Sequence, residues 1–252
     1  MKPFATIHQV GRLANQGYQI AFLIAYALKN NLRYYVPRKS SNGRDEYYWG
    51  DRFPEFTDEM IGFVKTKYEE PVDGAHQPSY HEVPAMENVI FHGYWQSFKY
   101  FEECRKEVLA AFNLPFELNK GVVGIHHRRG DYLKYPKNFP VVTLEYIEKG
   151  IEFFHAWGFN KFKVFGDDIM WCKEHYKKFY NIDFEYSEHK TPLQDFVELS
   201  NCEGQLVSNS SFSFLAAWFH QGNNLVACPS KDNLFIGANK DMIPEHYYQI
   251  KF

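Results

Sequence analysis

Apolar runs and amphipathic stretches alternate along most of the chain, and the alternation predicts an α/β protein. Phe4 to Val10 reads as a first strand and Gly11-Arg12-Leu13-Ala14-Asn15-Gln16-Gly17 as the turn behind it. Asn15 to Asn30 reads as a strongly apolar helix, with Tyr18, Phe22, Ala25 and Leu28 near helical spacing. Leu32 to Val36 is a second strand that Pro37 ends, so the chain opens as a doubly wound unit. Arg38 to Pro84 is poorly periodic and reads as loops and short helices, a region suited to facing an acceptor because loops carry specificity. Asn88 to Tyr94 returns to a strand, and Ser97 is placed to cap a helix from Phe98 to Phe112.

A second alternation begins after the polar, proline-containing linker from Asn113 to Lys120. Val122-Val123-Gly124-Ile125 is apolar on both faces, as a buried parallel strand is. Thr143 caps a helix to Trp157 that Gly158 stops. Lys161 to Phe165 is a strand and a helix follows to about Phe179, then a short strand from Asp183 to Tyr186. Thr191-Pro192-Leu193-Gln194 is a capping box with proline at the first helical position, opening a helix to Asn201. Gln205 to Ser208 is a strand, a helix runs on from Asn209-Ser210-Ser211 to Gln221, and Leu225 to Cys228 is the last strand. The expected domains are 1–116 and 117–252, with the final amphipathic residues free to pack back on the first domain.

Composition narrows the function. The 252 residues suffice for one large domain or two small ones, and 24 Phe with 18 Tyr can fill a sizeable core. A formal net charge of −3 argues against broad contact with a phosphate backbone, so no nucleic-acid partner is expected. Cys104, Cys172, Cys202 and Cys228 show no paired spacing and read as reduced core thiols. Behind Met1-Lys2-Pro3-Phe4 there is no apolar leader, and Ile20 to Leu28 is too short to span a bilayer. The expectation is a cytoplasmic protein without a transmembrane segment, either free or peripheral to a membrane.

Three strand ends in the second half carry the candidate chemistry: Arg128-Arg129 with Asp131, Asp167-Asp168, and Asn209-Ser210-Ser211 with Ser213. Open α/β sheets bind ligands beyond the carboxyl ends of their strands, so residues distant in sequence converge there. Arginine forks match phosphate oxygens, and the start of the helix after Ser208 offers backbone N–H groups and a positive dipole end. Asp167 or Asp168 can accept the N1–H and amino group of guanine; the plain alternative is that the aspartates and the serines cap helices. No metal-ligand spacing appears, and none is expected to be required.

His126-His127-Arg128-Arg129-Gly130-Asp131-Tyr132 resembles the HxRRxDY motif of the α-1,2-fucosyltransferase family, glycosyltransferase family 11. Gly11-Arg12-Leu13-Ala14-Asn15-Gln16 resembles its GxLGNQ segment, with Ala14 in place of glycine. Phe165-Gly166-Asp167-Asp168-Ile169-Met170-Trp171 resembles FSDDxxW, with Gly166 in place of serine. Asp195 through Trp218 resembles a further segment in which Phe214-Leu215 replaces an aromatic pair, and Ile243-Pro244 also fits. The resemblance implies a GT-B-like enzyme with two Rossmann-like α/β domains facing a cleft. It would move fucose from GDP-fucose, with inversion, to a hydroxyl of a galactose-terminated glycan, O2 in the first instance. Arg128 and Arg129 would then meet the charge developing on the β-phosphate. Asp131 is either the base for the acceptor hydroxyl or the partner that orients an arginine. His126 either joins the nucleotide pocket or is a structural imidazole, and Asn15, with Gly11 before it, lies near the diphosphate or the acceptor hydroxyl. Asp195 is either a donor-pocket or a helix-orienting residue. No cofactor beyond the donor substrate is implied. Two other readings stay open: a GDP-sugar-binding protein without transfer activity, and transfer to protein Ser or Thr.

Overall fold

The computed structural model describes residues 2–39, 46–71, 79–234 and 240–252. The chain divides into two compact units, Met1–Leu114 with Asn239–Met242, and Pro115–Ala238 with Ile243–Phe252. Each is built on its own parallel sheet.

In the first unit the strands are β1 (Phe4–Ile7), β2 (Arg33–Tyr35), β3 (Thr66–Glu69) and β4 (Val89–His92), in the order β2-β1-β4-β3. All three pairings are parallel. Helix α1 (Leu13–Lys29) crosses from β1 to β2, and every residue from Leu13 to Ala27 except Asn15 is buried. A helix apolar around its whole girth belongs inside a core. Phe22 of α1 stacks on Trp95 with centroids 3.8 Å apart and meets Phe91 edge-on. Two expectations change here. The poorly periodic region contains strand β3, besides a 3-10 turn at Asp58–Phe63. The long helix expected from Phe98 is two 3-10 turns, Phe98–Tyr100 and Glu102–Cys104, followed by the short α2 (Arg105–Phe112). Phe98 and Phe101 both pack on Tyr18, and a three-residue spacing on one face is what a 3-10 turn provides.

The second unit contains β5 (Asn119–His127), α3 (Leu144–Ala156), β6 (Lys161–Gly166), α4 (Ile169–His175), β7 (Phe184–Tyr186), α5 (Pro192–Asn201), β8 (Cys202–Leu206), α6 (Ser211–Phe219), β9 (Leu225–Pro229) and β10 (Tyr248–Ile250). The strand order is β10-β9-β8-β5-β6-β7. From the β7 edge, the strands are third, second, first, fourth, fifth and sixth in the chain, the doubly wound dinucleotide-binding order, with its switch point between β5 and β8. The Thr191 capping box is present, and Thr143 accepts a hydrogen bond from Tyr146 N as an N-cap. The last residues divide between the two units. The turn Lys240–Met242 belongs to the first unit, where Asp241 accepts from Tyr80 N and Lys99 Nζ. The residues after it extend the second sheet as β10, paired with β9. Among the described residues no helix is long and apolar enough to cross a membrane, and the four cysteines are unpaired.

Candidate active site

The carboxyl ends of β5, β6 and β8 bring together most of the polar residues marked in the sequence. β5 runs beside both neighbours, so its end, His126-His127-Arg128-Arg129, lies between Gly166-Asp167-Asp168 on one side and Ser208 to Ser213 on the other. Across the switch point His126 Nδ1 lies 2.6 Å from Ser208 Oγ, and the ring stacks on Phe212. Burial, with Arg128 and His127 beside it, pushes His126 down to about 3. The neutral, enclosed imidazole thus clasps the end of β5 to the segment after β8. His127 is likewise pushed down to about 3, by burial and then by Arg129, and its Nδ1 is 2.8 Å from the Tyr176 hydroxyl.

The two arginines are held differently. The Arg128 fork spans Asp131 Oδ1 at 2.6 Å and Asp167 Oδ2 at 3.0 Å, and its guanidinium lies 5.4 Å from the Tyr132 ring centre. Arg129 gives its Nε to Asp168 Oδ2 at 3.2 Å and lies flat on Trp171, 3.5 Å from the ring centre. Among the described residues its terminal nitrogens carry no ion pair. Their side chains are 19% and 14% exposed, so both charges are largely taken from water and reach an incoming anion with little screening. The chain can turn this tightly because residue 130 is glycine: a Cβ there would overlap the Asp167 carboxylate.

All four oxygens of Asp167 and Asp168 already accept. Asp167 Oδ1 takes Arg129 N and Oδ2 takes Arg128; Asp168 Oδ1 takes Trp171 N as the N-cap of α4, and Oδ2 takes Arg129. In this arrangement Asp167 and Asp168 position the arginines, and Asp168 also caps α4, as the plain alternative expected. Asp131 Oδ1 accepts from Arg128 Nη2.

On the β8 side Ser210 caps α6 through Phe212 N and bonds the Tyr132 hydroxyl, whose pKa burial pushes up to about 12. Ser213 is buried and donates to the carbonyls of Ser208 and Ser210, and Asn209 donates to Pro140 O. These three shape the turn; Ser211, at the first position of α6, is half-buried. Asp195 is not gathered in. It accepts from Ser187 Oγ beyond the edge strand β7, where burial raises its pKa. Among the described residues no group of three or more His, Cys, Asp or Glu could hold a metal ion.

Asn15 and Gly11 belong to the first unit. Gly11 turns the chain at φ 79°, and its carbonyl accepts from Gln16. Asn15 Oδ1 accepts from Gln96 Nε2 at 2.7 Å, joining the turn after β1 to the loop after β4. Sequence reasoning missed what shapes that loop. Glu70 Oε2 accepts from Tyr94 N and Trp95 N at 2.7 and 2.9 Å, and a Cβ on Gly93, at φ 150°, would overlap its side chain. Burial raises Glu70 to about 7. The signal available was a glycine near the end of the predicted strand Asn88 to Tyr94; the strand itself stops at His92.

Known proteins align with this arrangement. The family model for glycosyl transferase family 11 matches residues 59–244. An α-1,2-colitosyltransferase of Escherichia coli is 28% identical over 187 residues, covering 67% of this chain and 61% of that protein's length. A galactoside α-(1,2)-fucosyltransferase 2 of Hylobates lar is 24% identical over 249 residues, covering 87% and 70%. Among solved structures, the NodZ α-1,6-fucosyltransferase from a crystal soaked with GDP-fucose superposes with a TM-score of 0.50 at 12% identity, covering 87% of this chain and 93% of that one, and shows the same GT-B-like fold. The family match takes in every residue of the arginine, aspartate and serine edges described above, and the chain belongs to glycosyltransferase family 11.

Proposed function

We propose that the protein transfers a deoxysugar, fucose in the first instance, from a GDP-sugar to O2 of a galactoside, with inversion. The observation that carries this reading is the Arg128–Arg129 pair at the switch point of the second sheet, facing the start of α6 in a family 11 chain. As the bond from the anomeric carbon to the diphosphate breaks, charge grows on the β-phosphate. Preorganised cations stabilise that charge more in the transition state than before it, which is what lowers a barrier. Arg129 is the better placed of the two, because Trp171 and Asp168 fix its plane while its terminal nitrogens are not already paired. Arg128 would have to share its fork with Asp131 and Asp167.

The α-1,2-colitosyltransferase among the relatives supports a second donor, so the test includes both sugars. The protein is incubated with GDP-fucose or a colitosyl donor and a panel of galactosides, and the product linkage is mapped by NMR. An α-1,2-linked product is expected. Binding of GDP without any transfer would replace the enzyme by a nucleotide-sugar-binding protein, and modification of peptide Ser or Thr in place of galactosides would move the acceptor class. We expect turnover to continue in excess EDTA, since arginines and a helix start supply the positive charge; loss of activity restored by manganese would put an ion in that role.

A further inference from the structure

Arg129 takes its plane from Trp171, and Trp171 is itself held. Against the indole stands His175, one turn further along α4 and half-buried. Its ring centre lies 4.0 Å from that of Trp171, with the planes 17° apart. The Arg129 guanidinium lies 3.5 Å from the Trp171 ring centre. Two flat groups this near one ring cannot share a face, because each needs about 3.5 Å of clearance from the other. They therefore occupy opposite faces. The chain path agrees. Arg129 reaches the indole from the start of α4, where Asp168 holds its Nε and accepts from Trp171 N, whereas His175 is the last residue of that helix. The result is a three-layer stack of guanidinium, indole and imidazole.

The far layer is fixed in turn. His175 Nδ1 lies 2.9 Å from Trp171 O, and since a carbonyl only accepts, Nδ1 carries a proton and donates it. That bond ties the imidazole to the residue it stacks upon. His127 meets the indole edge-on at 5.2 Å, and its own Nδ1 is anchored on the Tyr176 hydroxyl. Trp171 is thus gripped on one face and one edge, with its other face given to Arg129. We propose that His175 is a positioning residue for the reaction, acting on the diphosphate only through Trp171 and Arg129. The proposal rests on the transferase reading above. A cation is held over a ring only while the ring keeps its plane, and an indole without its backing pivots about its side-chain torsions. Asp168 then grips Arg129 by Nε alone, and the fork can rotate about that bond. Charge stabilises a transition state most when it is already aimed, so a fork that samples several directions stabilises it less.

Three variants separate the stack from the hydrogen bond. His175→Ala removes both, His175→Phe restores a flat ring without the bond, and His175→Gln offers a donor without a ring, which keeps the comparison available if the alanine variant does not fold. The first readout needs no donor: the Arg129 Nε–H proton resonance by NMR, which the indole ring current moves upfield. It should move downfield in His175→Ala and His175→Gln and return most of the way in His175→Phe. The second is transfer from GDP-fucose to lactose. The kcat should fall about threefold or more in His175→Ala and His175→Gln and recover in His175→Phe, while KM for lactose stays unchanged. An Arg129 resonance that does not respond to loss of the ring would overturn the proposal. So would equal losses of kcat in the alanine and phenylalanine variants, which would mark His175 as a helix residue and no more. A protein that turns over no GDP-sugar, but whose Arg129 resonance follows the ring at position 175, would keep the stack and discard the transferase reading, so the two failures are distinct.

Discussion

The two units put chemically opposite groups at corresponding places. At the switch point of the second sheet stand two arginines, three aspartates and the start of a helix. At that of the first, between β1 and β4, stand the neutral, stacked imidazoles of His8 and His92 and a chain of carboxamides: Asn15 with Gln96, Gln16 with Gly11 O, and Gln19 with Val10 and Gly93. The topologies are alike, so the side chains at the ends, not the fold, decide which ligand each crevice suits. Paired charges match an anion whose charge rises during reaction. Amides and imidazoles match a ligand that offers hydroxyls and no charge.

The largest effect expected from breaking this contrast comes from the charged edge. Arg129→Ala should lower turnover about a hundredfold, roughly 3 kcal/mol of transition-state stabilisation, and by more than Arg128→Ala, while thermal stability changes little. Steady-state rates of both variants with GDP-fucose check the order; equal, small losses would remove the phosphate clamp.

Next comes Glu70, the carboxyl that holds the loop after β4. Glu70→Ala strips two backbone N–H groups, the buried one of Trp95 and the part-buried one of Tyr94, of their acceptor and should cost on the order of 2 kcal/mol. The pH dependence has a definite sign. Because the native pKa is raised to about 7 from 4.5, the folded protein holds a proton that the unfolded chain has released between those values. Stability should therefore be greatest below that window and fall as pH rises through it. In Glu70→Gln this component of the slope should vanish, and melting temperatures from acid to mildly alkaline pH would show it.

A smaller effect is expected at Trp171, which carries Arg129 on its face. Trp171→Leu should reduce turnover several-fold, in line with roughly 1 kcal/mol for a cation over a ring, and Trp171→Phe should restore part of it. The smallest is a salt effect. Raising ionic strength should weaken GDP binding a few-fold and leave galactoside binding unchanged, because the diphosphate is charged and a galactoside is not. Calorimetric titrations at two salt concentrations would decide whether the contrast survives in solution.

Much of this was legible in the sequence. The strand-helix alternation, the Thr191 box, the Thr143 cap and the arginines past an apolar strand are local signals, and local signals survive into the fold. Strand β3 was not legible because Thr66-Lys67-Tyr68-Glu69 is polar and short; it is a strand through pairing with β4, more than twenty residues on. The arginine contacts of Asp167 and Asp168 were not legible because they depend on residues 38 and 39 positions earlier whose direction only the folded turn sets. Nothing local marks Glu70; its burial follows from a loop 24 residues away. His8 and His92 each read as unremarkable until two strands placed them ring on ring.

The central position of β5 also has a consequence in time. Its pairing with β6 closes about forty residues of chain, but the clasp of His126 on Ser208 spans 82. Closing the longer loop costs more entropy and waits on the crossovers between, so parallel sheets of this order assemble slowly. The edge that holds the arginines opposite the serines is thus among the last parts of the second unit to form. A nascent or partly unfolded chain would carry the β5–β6 half, with Arg128 and Arg129 already against their aspartates, before it had any helix start to face them. Competence to bind an anion would arrive with the final closure, which makes nucleotide binding a readout of completed folding.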